Sequence, residues 1–400
     1  MKGSVNVGKR VRAAAAAAAI VLLCGVLGRS TSGFAAAGTP ADAAFADGRF
    51  EQAQALYAQA LQSNPRDAAA AAGLARVELY ANELDAASLH ALIAERVDLH
   101  NAVAAEVLGT VRDRTAIAEQ ARAIDVPASG VGVPFVRTEP VPMVRIVVDG
   151  HPADVIVDTG APDVALDPEF AHQIGVTVDG GYAATFAGGL TAQLREGSVR
   201  SVQLGPVTVH DATATILPSR ALSQYEHRRI DGIIGAAFLA RFTARIDYPN
   251  RRLVLFRRGA RVVAPPGAIV ARFWLYGDND VFVRGSIDAL EQQLFLIDSG
   301  AAGAGFMPEA WTVAAAHLRT MPNRAAFGMG AGGAVSAIPV VAERLCVATA
   351  CQANARGLYT PSGSPLAAFP FRTAGIVSHE FLRRYAVTLD FDAMRVILTP

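Results

Sequence analysis

The chain has 400 residues, of which 52% are hydrophobic and 18% charged, with a formal net charge of +0 at pH 7. This length leaves room for two or three domains, and the composition excludes a disordered chain. A balanced charge gives no reason to expect binding to nucleic acid or to an anionic membrane surface.

The first 37 residues differ from the rest of the chain. A basic opening, MKGSVNVGKRVR, precedes an apolar stretch that is short for a membrane span, and small residues follow around Ala37. This pattern predicts a signal peptide over residues 1–37, a secreted or periplasmic protein, and no stable membrane span after cleavage. The alternative is a protein anchored by an uncleaved N-terminal segment. Cleavage would remove five basic residues and no acidic ones.

Residues 38–125 are predicted to form a small α-helical module, because apolar residues recur there at helical spacing. The stretch DGRFEQAQALYAQALQSNPRDAAAAAGLARVELY resembles a tetratricopeptide repeat through Gly48, Phe50, Tyr57 and Pro65. The resemblance implies a module that binds a protein partner. Fewer than the roughly three repeats needed for independent stability fit here. An Ala-rich helical hairpin without a binding groove is therefore the alternative.

From Val126 onward the chain is rich in Val, Gly and Pro, and short alternating stretches are separated by turn residues, which indicates β-structure. Two of its segments repeat. DGIIGAAFLARFTARIDY at 231–248 and AGIVSHEFLRRYAVTLDF at 374–391 share six of 18 positions. The chain is therefore predicted to be mainly β, with a first lobe over residues 126–258 (lobe 1) and a second over 259–400 (lobe 2).

Each predicted lobe also contains an aliphatic run that ends in Asp, a hydroxyl residue and Gly: DVIVDTG at 154–160 and LFLIDSG at 294–300. An aliphatic run of this length suits a buried strand, and the Gly allows a tight turn after it. One such triplet would be an ordinary turn. Two copies in equivalent places of a duplicated unit could bring two carboxylates together, where one shared proton lets the pair act as base and acid.

With these motifs the chain resembles the aspartic protease superfamily of pepsins and retropepsins, and in particular bacterial single-chain relatives with retropepsin-type lobes. The resemblance covers residues from about 134 to 400. It implies two homologous β-barrel lobes in a pepsin-like bilobal arrangement. It also implies an aspartic endopeptidase that hydrolyses peptide bonds with a water activated between two aspartates, acts on a peptide or protein substrate, and needs no cofactor. Since one chain supplies both aspartates, a monomer is expected.

The resemblance implies roles for particular residues. Asp158 and Asp298 would be the catalytic pair. Residues that support the pair would be Thr159, Gly160, Ser299 and Gly300. The hydrophobic-Gly motif would be Ile233, Ile234 and Gly235 in lobe 1 and Ile376 and Val377 in lobe 2. Candidates for flaps that close over substrate are Phe186, Gly188, Gly189, Gly332 and Gly333.

Lobe 2 departs from the family pattern at Ser378, which stands where the last Gly of the hydrophobic-Gly motif is expected. Serine is small, so a tolerated substitution is one interpretation and a distorted second lobe is the other. A catalytically inactive peptide-binding or scaffold protein on the protease fold is therefore the alternative function. A protease restricted to its own chain or to one dedicated partner is a third.

Two cysteines follow the predicted signal peptide, Cys346 and Cys351, separated by four residues. In an oxidising compartment such a pair can close a hairpin as a disulfide, and two free buried thiols are the alternative. Two cysteines without a matching histidine pair make a poor metal site, so no metal is predicted.

Overall fold

The computed structural model describes residues 38–185, 191–330, 333–361 and 364–400, together with the dipeptides Val21–Leu22 (β1) and Val26–Leu27 (β2). Most of the predicted signal peptide therefore lies outside the described residues. Among the described residues, no helix has the length and apolar character needed to cross a membrane.

A helical module begins the continuous part of the described chain. Side-chain caps start several of its helices: Asp67 accepts from the amide of Ala70 at 2.9 Å, and Asn101 from that of Ala104 at 3.0 Å. Fully buried alanines allow the helices to pack closely. The helices are α1 (Pro40–Ala46), α2 (Phe50–Ser63), α3 (Ala68–Tyr80), α4 (Leu84–Val97) and α5 (Ala102–Ala123).

The helical module packs against lobe 2 through an aromatic cluster. The Phe50 ring lies 5.0 Å from that of Phe371 and 5.9 Å from that of Trp274, measured between ring centroids. The buried guanidinium of Arg114 in α5 donates to the carbonyl of Leu79 in α3 at 2.6 Å and to that of Leu275 in lobe 2 at 2.7 Å. The module and lobe 2 therefore share one apolar core.

Truncating the centre of this aromatic cluster should destabilise the whole protein. Phe50 is fully buried, so we expect Phe50→Ala to lower the free energy of unfolding by about 3–5 kcal/mol, through lost apolar contact and the cavity left behind. Urea unfolding followed by circular dichroism measures this loss. Leu92→Ala on the outer face of α4, where Leu92 is 51% exposed, is the control and should change stability by less than about 0.5 kcal/mol. An equally small effect at Phe50 would contradict a shared core.

Lobe 1 consists of antiparallel hairpins and two parallel pairs. One parallel pair joins the strand that ends at Asp158 to the strand of the hydrophobic-Gly motif, and the other joins Val164–Leu166 to Val207–Ile216. Its strands are β3 (Val131–Arg137), β4 (Met143–Val148), β5 (His151–Asp158), β6 (Val164–Leu166), β7 (Thr177–Thr185), β8 (Thr191–Leu204), β9 (Val207–Ile216), β10 (Gly232–Gly235), β11 (Phe242–Asp247) and β12 (Arg252–Arg257). Its helices are α6 (Pro168–Ile174), α7 (Arg220–Tyr225) and α8 (Ala236–Leu239).

Lobe 2 repeats the central parallel pair, between the strand that ends at Asp298 and the strand that ends at Ser378. Its strands are β13 (Ile269–Tyr276), β14 (Asp280–Ile287), β15 (Leu290–Asp298), β16 (Phe306–Pro308), β17 (Arg319–Thr320), β18 (Ala326–Gly330), β19 (Gly333–Val347), β20 (Ala350–Tyr359), β21 (Gly375–Ser378), β22 (Ala386–Asp390) and β23 (Arg395–Thr399). Its helices are α9 (Ala310–Ala315) and α10 (His379–Leu382), with 3-10 turns at Pro322–Arg324 and Pro365–Ala368.

The two lobes are joined by strand pairing across their boundary. β11 of lobe 1 pairs antiparallel with β22 of lobe 2, from Ala244 opposite Leu389 to Asp247 opposite Ala386. β12 and β3 extend this sheet on one side, and β23 and β13 extend it on the other. The prediction of a mainly β protein with a helical N-terminal module is confirmed.

Cys346 and Cys351 face each other across the β19–β20 hairpin and form a disulfide with an S–S distance of 2.08 Å. The bond joins directly opposed residues at the closed end of a long hairpin. It therefore fixes the register of that hairpin within lobe 2.

Candidate active site

Both Asp residues of the repeated triplets stand at the ends of buried strands. In β5, Val155, Ile156 and Val157 are fully buried and pair with β10, which places Asp158 opposite Gly235. In β15 the equivalent run pairs with β21 and places Asp298 opposite Ser378. The hydrophobic-Gly motif of each lobe thus holds the strand that carries the aspartate, which explains why the two motifs recur together.

The loops after the two strands are locked together by four reciprocal hydrogen bonds. Thr159 Oγ1 donates to the carbonyl of Ile297 at 2.8 Å, and Ser299 Oγ donates to the carbonyl of Val157 at 2.9 Å. Each hydroxyl also accepts from the backbone N–H of the other residue at 3.0 Å. Since all these groups are buried, the loops of the two lobes are held in one fixed arrangement.

The same loops supply backbone donors to the carboxylates. Gly160 N–H donates to Asp158 Oδ1 at 2.8 Å, and Gly300 N–H donates to Asp298 Oδ1 at 2.8 Å. A further N–H, from Ala301, reaches Asp298 Oδ1 at 2.9 Å. Both aspartates are fully buried. Gly160 and Gly300 leave room for them, because a Cβ on Gly300 would lie 2.2 Å from Asp158 Cγ.

The carboxyl of Asp158 interacts with the carboxyl of Asp298 and with the backbone N–H of Gly300, and its second oxygen, Oδ2, is buried. Burial raises the pKa of Asp158 well above its usual range, the negative charge of Asp298 raises it further, and the hydrogen bond between the two carboxyls adds to both. A single proton held between the two groups satisfies this geometry. The pair then consists of one acid and one base, whose titration belongs to both residues together.

The raised pKa of Asp158 gives the protein's stability a pH dependence of known sign. An unfolded chain releases the Asp158 proton above about pH 4, whereas the folded protein retains it to higher pH. The free energy of unfolding therefore falls as the pH rises from the pKa of Asp158 in the unfolded chain to its pKa in the folded protein. Between about pH 4 and pH 7 we expect the thermal midpoint of the wild type to fall by a few degrees relative to Asp158→Asn. Thermal unfolding by circular dichroism tests this, and parallel changes in the two proteins would contradict it.

Ser378 is accommodated in lobe 2 without loss of strand pairing. Its hydroxyl donates to the carbonyl of Ala304, and β21 keeps the same register against β15 that β10 has against β5. The equivalent Gly235 has no such room, because a Cβ there would lie 1.8 Å from the carbonyl oxygen of Pro162. Lobe 1 therefore needs glycine at this position, whereas lobe 2 accommodates serine.

The predicted flaps correspond to two long hairpins. β7 and β8 flank residues 186–190, and β18 and β19 flank residues 331–332. Phe186, Gly188, Gly189 and Gly332 lie outside the described residues, whereas Gly333 begins β19. Both hairpins also pair with extended backbone from the N-terminal region: β1 runs along Met329 and Gly330, and β2 along Ala184 and Thr185.

Two buried polar residues, Tyr248 and His379, have no role in the sequence-based predictions, and their rings pack 5.2 Å apart. A signal for them exists in the repeat itself. Where lobe 1 has Tyr248, lobe 2 has Phe391, and where lobe 2 has His379, lobe 1 has Ala236. A polar residue that replaces an apolar one at a buried repeat position is informative, and comparing the two copies residue by residue would have found both.

Comparisons with known proteins bear on both parts of the chain. The family model described as aspartyl protease matches residues 144–238, and the tetratricopeptide repeat model matches residues 44–92. The crystal structure of a retropepsin-like aspartic protease from Rickettsia conorii is 18% identical over 33% of this chain and 90% of that chain, with a TM-score of 0.23. A search of curated proteins gave no match.

The family match covers the strand, triplet and hydrophobic-Gly motif of lobe 1, and lobe 2 repeats that arrangement around Asp298. The second match covers α2, α3 and parts of their neighbours. Residues 144–238 are therefore similar to aspartyl proteases, and residues 44–92, ahead of them in the chain, are similar to tetratricopeptide repeats.

Proposed function

We propose that this protein is an aspartic endopeptidase in which Asp158 and Asp298 activate a water molecule to hydrolyse a peptide bond. One observation carries the proposal: two fully buried carboxyl groups from different lobes meet at a single place, between loops that are hydrogen-bonded to each other. A structural role alone does not account for such a pair, because burying two adjacent acids costs free energy.

The proton held between the carboxyls defines the chemistry. The ionised aspartate takes a proton from water as the oxygen of that water attacks the peptide carbonyl. The protonated aspartate gives its proton to the carbonyl oxygen, so that no free oxyanion forms. Collapse of the tetrahedral intermediate then breaks the C–N bond: the aspartate that took a proton from water gives it to the leaving nitrogen, and the other aspartate takes a proton from a hydroxyl of the intermediate as the C=O bond re-forms. The dyad returns to its starting state with one proton.

We propose an extended peptide as the substrate. The pairing of β1 and β2 with the hairpins supports this substrate class, because it is backbone pairing of the kind a substrate strand would make with the same edges. Backbone pairing is indifferent to sequence, so side-chain pockets would set the specificity. We propose a monomer, since both aspartates are on one chain. The expectation that the helical module recruits a protein partner stays a prediction.

Cleavage of a degenerate peptide library by the full chain, followed by mass spectrometry between about pH 3 and pH 7, tests the proposal. We expect the wild type to cleave peptides from the library. The double variant, which combines Asp158→Asn with Asp298→Asn, should not cleave them. Binding of peptides without cleavage at any pH would instead indicate an inactive peptide-binding protein on this fold. Cleavage confined to the protein's own N-terminal region would indicate a self-processing enzyme.

Removing residues 1–37 should increase activity toward added peptides. These residues include β1 and β2, which occupy the edges of both hairpins that a substrate strand would use. We therefore expect the shortened protein to show a lower KM and an unchanged kcat in steady-state assays. Equal KM values for the two proteins would contradict competition between the N-terminal region and substrate.

Export of the protein is part of the proposal. The basic, apolar and small-residue pattern of residues 1–37 supports it, and so does the Cys346–Cys351 disulfide, since such bonds persist in oxidising compartments. Fusing residues 1–37 to a reporter that is active only outside the cytoplasm tests export. A reporter retained in the cytoplasm would contradict it, and a full-size product found in the membrane fraction would indicate an uncleaved anchor.

A further inference from the structure

A surface cavity of about 230 Å³ lies where the helical module meets both lobes. Helix α5 forms one wall, the end of β12 in lobe 1 forms a second, and the turn between β22 and β23 in lobe 2 forms a third. The residues that line the cavity are Ala118, Ala121, Arg122, Arg257, Arg258 and Asp392. None of them belongs to the aspartate pair, its loops or the two long hairpins, so the cavity is separate from the candidate active site.

Two of the three arginines are consecutive in the chain. Neighbouring residues of a straight strand point to opposite faces, which would separate Arg257 from Arg258. β12 ends at Arg257, however, and a turn follows in which the Ala260 N–H donates to the carbonyl of Arg257 at 2.9 Å. Gly259 has a φ of 73° in this turn, and a Cβ there would lie 3.1 Å from Asp392 Oδ2. The turn therefore allows both arginines to line one cavity.

Positive charge exceeds negative charge around this cavity. Arg258 Nε donates to Asp392 Oδ1 at 2.7 Å, so these two residues form a neutral pair. Arg257 Nη2 lies 3.9 Å from the fully exposed carboxylate of Asp125, which is beyond hydrogen-bonding distance. Within the part of the chain that the structure describes, Arg122 has no ion pair. Two guanidinium groups therefore line the cavity without a hydrogen-bonded carboxylate.

The fold itself does not explain why three arginines line this cavity. Arginines on strands can protect an exposed sheet edge from pairing, but β12 is paired with β11 on one side and with β3 on the other. Arg122 lies in the last turn of α5, where its charge favourably opposes the helix dipole, but that effect requires no second arginine nearby. Like charges that line one small cavity repel each other. A bound anion would turn this repulsion into attraction.

We propose that the cavity binds a small oxyanion, a carboxylate or a phosphate group, between Arg122 and Arg257. A guanidinium group donates two parallel N–H bonds, which match the oxygens of either group. The volume corresponds to several water molecules, which favours a small molecule over a polymer. Ala118 and Ala121 give an apolar surface for the rest of such a molecule. The bound anion joins α5 to lobe 1 beside the Arg258–Asp392 pair, so it stabilises the docked helical module whether or not the protein cleaves peptides.

Isothermal titration calorimetry of the full chain at pH 7 tests this site with inorganic phosphate and with succinate, at an ionic strength held constant with NaCl. We expect saturable binding of at least one of them, with a Kd on the order of 1 mM. Binding of phosphate alone assigns the site to phosphate groups, and binding of succinate alone assigns it to carboxylates. At about ten times Kd, the bound anion should raise the thermal midpoint by about 2 °C. The absence of saturable binding for both anions would overturn the inference.

Three variants distinguish a built site from general attraction by positive charge. Arg122→Gln and Arg257→Gln should each weaken binding by about 10-fold or more, because each removes a hydrogen-bond donor that carries charge. Arg112→Gln is the control, since Arg112 is exposed on the same helix but lies outside the cavity lining, and it should leave Kd unchanged. All three side chains are exposed, so each variant should fold, which circular dichroism checks. An unchanged Kd in Arg122→Gln, or an equal loss in Arg112→Gln, would overturn the inference.

Discussion

Asp158→Asn and Asp298→Asn should each lower kcat/KM for peptide cleavage by about 10³- to 10⁴-fold, the range expected for the loss of general acid-base catalysis. Asparagine has the shape of aspartate and its oxygen can still accept from the Gly160 or Gly300 N–H, so the loops should stay in place. The amide cannot take up or release the proton that the reaction needs. Combining the two substitutions should cost little more than either alone, because the carboxyls work as a unit.

A matched control distinguishes lost chemistry from lost structure. Asp247 also recurs in both lobes, but its carboxylate accepts from the side chain of Asn250 at 2.9 Å and from Arg252 at 3.2 Å, at the turn after β11. Asp247→Asn should therefore keep most of the activity. A loss as large as that of the dyad variants would mean that any disturbance of a lobe abolishes cleavage. Steady-state assays with one cleaved peptide and circular dichroism of each variant supply both measurements.

The second large loss of activity is expected for Gly300→Ala, which adds a single methyl group. The backbone of Gly300 does not have a positive φ, so alanine is not excluded by conformation. Its Cβ would lie 2.2 Å from Asp158 Cγ and 2.3 Å from Asp158 Oδ2, closer than non-bonded atoms can approach. The carboxyl of the opposite lobe must then move. Since a displacement of about 1 Å can cost 10²-fold in rate, we expect at least that loss in kcat.

Two comparisons make the Gly300→Ala result interpretable. Gly109→Ala adds the same methyl group in the middle of α5, where the nearest atom is 3.9 Å away, and it should leave activity unchanged and slightly raise stability. Gly160→Ala should resemble Gly300→Ala, because its Cβ would lie 2.6 Å from Asp298 Oδ2. Full activity in Gly300→Ala would show that the carboxyls are less tightly enclosed than the structure indicates.

The sequence was sufficient to predict the lobes because the duplication contains its own internal comparison. Two aliphatic runs that end in Asp, each followed later in its lobe by a related 18-residue segment, predict buried strands in equivalent places of a duplicated unit. The tetratricopeptide-type helices were predicted for a similar reason, since helical spacing and a repeat period are both local patterns. These features depend on residues that are close in the chain.

The arrangement of the lobes could not be predicted in the same way. The hydrogen bonds between Thr159 and Ser299 join residues 140 positions apart, and only the folded chain shows that each hydroxyl reaches the other loop. The docking of the helices on Phe371 and Trp274 could not be predicted either, because an aromatic residue does not by itself indicate which element will cover it. Tyr248 and His379 were missed because each is an ordinary core residue when considered alone.

The reciprocal hydrogen bonds also determine when the site can exist. During synthesis, the Thr159 loop emerges long before Ser299, so an unfinished chain contains one aspartate without its partner. The helical module emerges before the residues of lobe 2 that cover its aromatic face. The two aspartates can therefore meet only when lobe 2 folds against lobe 1.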